Sequence, residues 1–341
     1  MAVPSPTDWL EECLGRVATA RVAVFGDFCL DAYWLIDPDE GELSVETGLP
    51  VRRVREQRYG LGGAGNVAAS LVDLGVAHVR VVGLIGEDPF GRQVLDLLAR
   101  RRVDARGLLQ CQDDWQTPVY AKPYMGGVEQ NRVDFGSFNA VRRETIGLLC
   151  EQLERAAAEV DAVVLNQQVP GGVSTPEMIE EINGVIGRHP GRAFIVDSRH
   201  RADLYRGAML KLNAREAARL CGAAPGPQER VRPGEARRFA ARLRERTGGP
   251  VFVTCGEEGI VVADSEGEEE VPGIEVLGPT DPVGAGDTVV ATLAAVIGSG
   301  GDCRTAARLA NIVASVTVRK VGTTGTATPE EVRRAASRGG A

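Results

Sequence analysis

The stretch Ala162-Val-Val-Leu165, followed by Pro176–Gly187 and then by Ala193-Phe-Ile-Val196, holds the pattern from which the fold follows. Its first and last pieces are short, continuously apolar runs of strand length, and strands of that kind are covered on both faces. The segment between them is longer and amphipathic, as a surface helix is. Strand, helix and strand in this order make a β-α-β unit, which places the two strands parallel in one sheet. The pattern extends in both directions. Val22–Phe25, Val79–Leu84, Met209–Leu212 and Val251–Thr254 read as further buried strands. Asn66–Leu74, Gly91–Arg101, Thr145–Ala158 and Gly234–Arg246 read as helices. The expected class is α/β, a central, mostly parallel sheet flanked by helices.

Two stretches interrupt this rhythm. Tyr33–Tyr59 holds several extended pieces and no helix, and Thr117–Tyr124, Gly126-Gly127 and Val128–Phe135 alternate like a hairpin with a glycine turn. Together they predict a small antiparallel sheet attached to the α/β body. The acidic cluster Glu266–Glu270 reads as a solvated turn between two late strands. With no internal repeat and no low-complexity linker, residues 1–341 are expected to form one domain carrying this β appendage.

Composition narrows the function classes. The chain has 341 residues, 43% hydrophobic and 25% charged, as in an ordinary globular protein, and 42 glycines, which point to tight turns and close backbone approaches. A formal charge of −8 argues against a nucleic-acid surface. The arginine-rich stretches Arg100–Arg102 and Arg237–Arg246 fall on helical patterns and read as solvated faces. Seven cysteines, scattered without a C-x-x-C pair, read as reduced thiols and not as a disulfide or zinc framework. The start, Met-Ala-Val-Pro-Ser-Pro-Thr-Asp, lacks a basic region followed by an apolar run, and no apolar stretch approaches the ~18 residues of a membrane span. A soluble, cytoplasmic protein without membrane or nucleic-acid partners is expected.

Chemistry concentrates in two segments. The first is Gly278-Pro-Thr-Asp281-Pro-Val-Gly284-Ala285-Gly286-Asp287-Thr288, followed by the apolar helix Val289–Ile297. Small residues ahead of a helix leave its first N–H groups open to a phosphate or to charge on a transferring phosphoryl group. A carboxylate there, Asp287, can take a proton from an incoming hydroxyl, although the same residue can simply cap the helix. The second segment is Tyr59-Gly-Leu-Gly62-Gly63-Ala64-Gly65-Asn66. Gly60-x-Gly62-x-x-Gly65 fits a dinucleotide fingerprint, but it follows the polar run Arg52–Arg58 where that motif requires a buried strand. A glycine-rich entry into a helix can instead bring backbone close to a sugar, with Asn66 offering its amide. There is no Gly-Lys pair, which removes a Walker A loop.

Taken together, Gly62-Gly63-Ala64-Gly65-Asn66 and Asp281-Pro-Val-Gly-Ala-Gly-Asp287-Thr resemble the two signatures of the ribokinase-like (phosphofructokinase B) carbohydrate kinases, in order and separation, over residues 20 to 335. Within that family the chain is most similar to the heptose-phosphate kinases of lipopolysaccharide precursor synthesis, through Gly26-Asp27-Phe-Cys-Leu-Asp31-Ala-Tyr33-Trp34, Tyr205-Arg206-Gly207-Ala208 and Lys320-Val-Gly322-Thr323. The resemblance implies a magnesium- and ATP-dependent kinase and leaves room for a monovalent cation. Asp287 would be the base, with Gly284, Ala285 and Gly286 as the anion hole. Asn213-Ala-Arg-Glu216 matches the family's Asn-x-x-Glu, which would hold the magnesium through water. Thr254, Gly256 and Gly259 would lie beneath the nucleotide and Asn311 beside the adenine. Asp31, Gly63 and Asn66 would bind the sugar, and the segments 33–59 and 115–136 would form a lid through which two copies pair.

Other features separate this chain from the heptose kinases. Their Asp-Tyr-x-Lys-Gly is replaced by Asn166-Gln-Gln-Val-Pro-Gly-Gly172, their Asp-Pro-Lys-Gly by Asp197-Ser-Arg199-His200, and the fused nucleotidyltransferase domain is not seen. The acceptor therefore stays open between a sugar and a sugar phosphate. Lys122 and Arg132, on opposite arms of the expected hairpin, and Arg199 are the candidates to grip a phosphorylated acceptor. Two competing readings are a sugar or nucleotide sensor on the same fold and an oxidoreductase built on Gly60–Gly65. The first has all the catalytic positions against it, the second the missing strand.

Overall fold

The computed structural model describes residues 8–39, 41–112, 114–226, 229–322 and 324–339; Met1–Thr7, on which the expectation of no leader rests, and Thr323 lie outside the described residues. The chain opens with α1 (Asp8–Val17) and β1 (Arg21–Gly26), then leaves for β2 (Phe28–Ile36) and β3 (Val54–Gly63). It returns through α2 (Ala64–Asp73), β4 (His78–Gly86), α3 (Pro89–Arg100) and β5 (Asp104–Cys111). A second excursion supplies β6 (Val119–Met125), β7 (Val128–Glu129) and β8 (Val133–Phe135). Next come α4 (Arg143–Glu159), β9 (Ala162–Gln167), α5 (Pro176–Arg188), β10 (Ala193–Ser198), β11 (Met209–Asn213), α6 (Ala214–Leu220), α7 (Pro233–Thr247) and β12 (Val251–Thr254). The chain closes with β13 (Gly259–Asp264), β14 (Gly267–Pro272), α8 (Ala285–Gly298), α9 (Cys303–Thr317) and α10 (Pro329–Gly339).

The main sheet runs β14-β13-β12-β11-β10-β9-β1-β4-β5; every pairing from β12 to β5 is parallel, and β13 and β14 add an antiparallel edge. Its central strands β1, β9 and β10 are apolar over most of their length because both faces are covered. In β1, Val22 and Val24 join one core, and Ala23 and Phe25 the other; in β9, Ala162 and Val164 face the first core, and Val163 and Leu165 the second. Each such residue removed from water contributes on the order of 1.5–3 kcal/mol for the larger side chains. Helix α8 is buried from Thr288 to Val296 and lies in the first core, which explains why it carries no charged residue after Asp287. The mostly parallel α/β fold expected from the sequence is the one the chain adopts.

The second sheet has the order β3-β2-β6-β7, with β8 also on β6. One expectation is corrected here: β2 and β6 pair in parallel, Asp31 opposite Tyr120 and Tyr33 opposite Lys122, so the sheet is mixed. The long β4-α3-β5 excursion between these strands makes the parallel return possible. The strands also begin at Phe28 and end at Gly63, so β3 runs straight into α2 without the turn a dinucleotide fingerprint needs. The acidic cluster is a second correction. Glu268–Glu270 are part of edge strand β14, and the turn is made by Ser265 and Glu266. An edge strand tolerates charges that a central one does not, and Arg304 bridges Asp264, Glu266 and Glu269.

Candidate active site

The site forms where α8 begins, beside the carboxyl ends of β10 and β11, the usual place for ligands in an open α/β sheet. Gly284, the N-cap of α8, has φ +78, and a Cβ there would run into the Thr324 side chain, so glycine is required. Ala285 N–H donates to the Pro282 carbonyl, which leaves Gly286 and Asp287 as the first-turn donors without such a contact among the described residues. Asp287 Oδ2 accepts from Asn66 Nδ2 at 3.3 Å, which joins α8 to the start of α2. Burial, and then the negative charge of Asp197, push the Asp287 carboxyl up to about 7, against the opposing effects of Lys211, Asn66 and Arg199.

Beneath this turn lies an ion pair. Lys211 in β11 and Asp197 in β10 meet at 3.0 Å, and both side chains are 6% exposed. Lys211 Nζ lies 2.9 Å from the point where a Gly286 Cβ would sit, so its ammonium supports the helix start from below. Burial works to lower the Lys211 pKa, but Asp197, Glu216 and Asp287 outweigh it and hold the ammonium charged. Lys211 carried no expectation from the sequence. Its signal is a lysine between Leu210 and Leu212 in a strand buried on both faces, where an unpaired charge would not persist.

Asn213 and Glu216 form a reciprocal capping box at the start of α6: Glu216 N–H donates to Asn213 Oδ1 at 2.9 Å, and Asn213 N–H to Glu216 Oε2 at 2.8 Å. Burial raises the Glu216 carboxyl above its ordinary range. No group of three His, Cys, Asp or Glu suited to a metal occurs among the described residues. One carboxylate with a free oxygen suits magnesium, which keeps several waters and leans on phosphate oxygens. Thr254 ends β12 with its hydroxyl on the Leu212 carbonyl, Gly256 and Gly259 bracket the short turn that follows, and Asn311 in α9 donates to the Val271 and Pro272 carbonyls at 3.0 Å.

On the other side, Asp31 in β2 accepts from Lys122 Nζ in β6 at 2.8 Å, and the same ammonium lies 4.9 Å above the Tyr33 ring. Gly62 and Gly63 end β3 against Cys29 and Asp27, with Asp31 Oδ2 3.5 Å from the point a Gly62 Cβ would occupy. Asn66 and Asp287 thus lie together, as do Asp31 and Lys122. Arg132 does not join Lys122: it forms a two-pronged pair with Asp134 at 2.6 and 2.8 Å and stacks 4.6 Å over Tyr120. Arg199 is exposed at the end of β10, where its charge reaches both Tyr120 and Asp287.

Comparison with known proteins adds identity. The family model described as pfkB family carbohydrate kinase matches residues 19–331. The bifunctional protein HldE of Rhodospirillum rubrum is 32% identical over 321 residues, covering 93% of this chain and 62% of the relative. HldE of Coxiella burnetii is 31% identical, covering 93% and 63%. The chain thus spans under two thirds of the length of these relatives. Phosphofructokinase-2 from Escherichia coli in complex with potassium superposes with a TM-score of 0.74 at 19% identity, covering 95% of this chain and 100% of the other. Ribokinase of Arabidopsis thaliana complexed with ribose and ATP gives 0.70 at 17% identity, covering 93% and 98%; at this identity the two likenesses establish the shared fold. With a family model matching nearly its whole length, this chain belongs to the pfkB family of carbohydrate kinases.

Proposed function

We propose that the chain transfers the γ-phosphoryl group of ATP to a hydroxyl of a sugar or sugar phosphate, with Asp287 as general base. The observation that carries this reading is the position of Asp287, in the first turn of α8, bridged to Asn66 and raised toward neutrality. A carboxyl of that acidity is a stronger base than an ordinary aspartate and is still largely ionised just above neutral pH. Asn66 orients it, and the N–H groups of Gly286 and Asp287, at the positive end of α8 above Lys211, face the charge that develops on the phosphoryl oxygens. Phosphoryl transfer asks for positioning and neutralisation, and no covalent intermediate is needed.

Magnesium, bound with the nucleotide, would neutralise the triphosphate, its waters held by Asn213 and Glu216. Thr254, Gly256, Gly259 and Asn311 serve the nucleotide, and Asp31, Gly63 and Asn66 the acceptor. A monovalent cation is a further candidate, because the phosphofructokinase-2 structure is in complex with potassium. In this reading residues 1–341 act as one kinase domain, with the second sheet as its lid. The exposed Leu43, Val45, Leu49, Val128 and Val133 on that sheet and its connections support a homodimer formed there, which a monomer in sedimentation at micromolar concentration would count against. The free cysteines fit a reducing, cytoplasmic setting; no described helix is long and apolar enough to cross a membrane. The deciding experiment is ADP release over a panel of hexoses, heptoses, their phosphates and nucleosides. Turnover with one sugar class supports the reading, and ADP release with none of them overturns it.

A further inference from the structure

We propose that Asp27 is a positioning residue for the acceptor side: from the single position between the two sheets, it fixes the second sheet and the Gly63 corner relative to the α/β body. The inference rests on the kinase reading only in calling that side the acceptor side. Asp27 stands between Gly26, the last residue of β1, and Phe28, the first of β2, and is 2% exposed. Two crossings of the chain between the sheets meet on it, and a third is reached through a loop that it holds. The first is Asp27 itself, whose N–H donates to the Asn166 carbonyl at the end of β9 at 3.2 Å. The second is the passage from β3 into α2, where Ala64 N–H donates to the Asp27 carbonyl at 3.0 Å and the place of a Gly63 Cβ lies 2.5 Å from that oxygen.

The third crossing is reached through the carboxylate. Asp27 Oδ2 accepts from the Gln168 and Val169 N–H groups at 2.9 Å, and Oδ1 from Val173 N–H at 2.8 Å. Gly172 passes so close to this carboxylate that a Cβ would overlap it. The neighbouring Gly171 packs on the Ser137 and Asn139 carbonyls, where a Cβ would sit 3.3 and 3.4 Å away. Asn139 is in turn bonded both ways to the Gln116 backbone, at 3.0 and 2.7 Å, just ahead of β6. The chain of contacts therefore runs from Asp27 through the 168–173 loop to the segment between β8 and α4 and on to β6, the strand that carries Lys122. A buried carboxylate that accepts three backbone donors needs no substrate to explain its presence, and here those donors belong to the loop that touches the second sheet.

Asp27→Asn keeps the shape but turns an NH2 toward one of the three donors, leaving it unpaired. The test is amide hydrogen exchange on the full, ligand-free chain, comparing wild type, Asp27→Asn and the milder Gly171→Ala, which folds if the first does not. Exchange is expected to accelerate about tenfold or more at residues 168, 169 and 173 and also at Ala64 and at 119–121 in β6, with α7 and β12 unchanged. Acceleration confined to 168–173, or spread evenly over the chain, overturns the proposal. For an acceptor turned over in the ADP-release panel, its KM should rise about tenfold while that for ATP is unaltered. Stabilisation of the wild type by Mg·ATP is scored separately: its absence would count against the kinase reading and leave the exchange result standing.

Discussion

The two sheets hold charge at different depths. In the main sheet the charged pair near the site, Lys211 with Asp197, is sunk among strands that are otherwise apolar, so it cannot move or exchange partners with water. In the second sheet Lys122 and Asp31 are still 17% and 11% exposed, and the outer groups are half open: Arg132 and Asp134 are 49% and 31% exposed, and β3 is exposed from Val54 to Arg58. A buried pair is fixed by the cost of separating it, whereas an exposed one is weak and adaptable. Rigid charge under the helix start suits a reaction step shared by every substrate, and adaptable charge suits recognition of a particular acceptor.

The sharpest way to break this comparison is at Asp287. If it is the base, Asp287→Asn keeps a side chain of the same size but removes its basicity, and turnover should fall about 10²–10⁴-fold with ATP binding and Tm little changed. Activity within a few-fold of wild type would reduce Asp287 to a structural partner of Asn66 and the rigid half to a scaffold.

Next comes the pair itself. Lys211→Met leaves Asp197 buried without a partner, which should cost about 3–5 kcal/mol of stability. Lys211→Met with Asp197→Asn removes both charges and should recover most of that loss while kcat stays depressed. Recovery of kcat along with stability in the double variant would show that the pair serves the fold alone.

Acidity sharpens the comparison further. The Asp287 carboxyl is raised to about 7, so its native form holds a proton that the unfolded chain has already released above the ordinary aspartate range. Its contribution to stability is therefore present at low pH and is lost as pH rises through 7. Activity moves the opposite way, because the base must be ionised: kcat/KM should fall about tenfold per pH unit below 7. A profile flat down to pH 5 would disagree with the buried setting of Asp287.

The sequence told these halves apart unequally. Ala162–Leu165 and Ala193–Val196 announced the main sheet because a strand covered on both faces has one reading. The second sheet was recognised as extended, but not its parallel β2–β6 pairing, since strands separated by a whole β-α-β excursion leave no local trace of register. Asp287, Asn66 and Asp31 were legible through motifs. Asp27 and Lys211 were not, because what singles them out is the partners that reach them from distant segments: the 168–173 loop for one and Asp197 for the other.

The smallest expected effect falls on Arg132. Its pair with Asp134 is half exposed and contributes ~0–1 kcal/mol, so Arg132→Ala should scarcely move Tm. What the substitution removes is a guanidinium held over Tyr120, a residue that also feels the charge of Arg199. A phosphate there could replace Asp134 as the two-pronged partner, an exchange open to this arginine because its present partner is solvated. One lost charged hydrogen bond of that kind is worth about 1.5–3 kcal/mol, so KM for a phosphorylated acceptor should rise about tenfold or more while KM for ATP is unchanged. Lys122 cannot substitute, since its ammonium is already committed to Asp31 at 2.8 Å. Unaltered kinetics with a phosphorylated acceptor, or an acceptor that carries no charge, would place Arg132 among the solvated charges of the second sheet and leave Asp31 and Lys122 as its recognition pair.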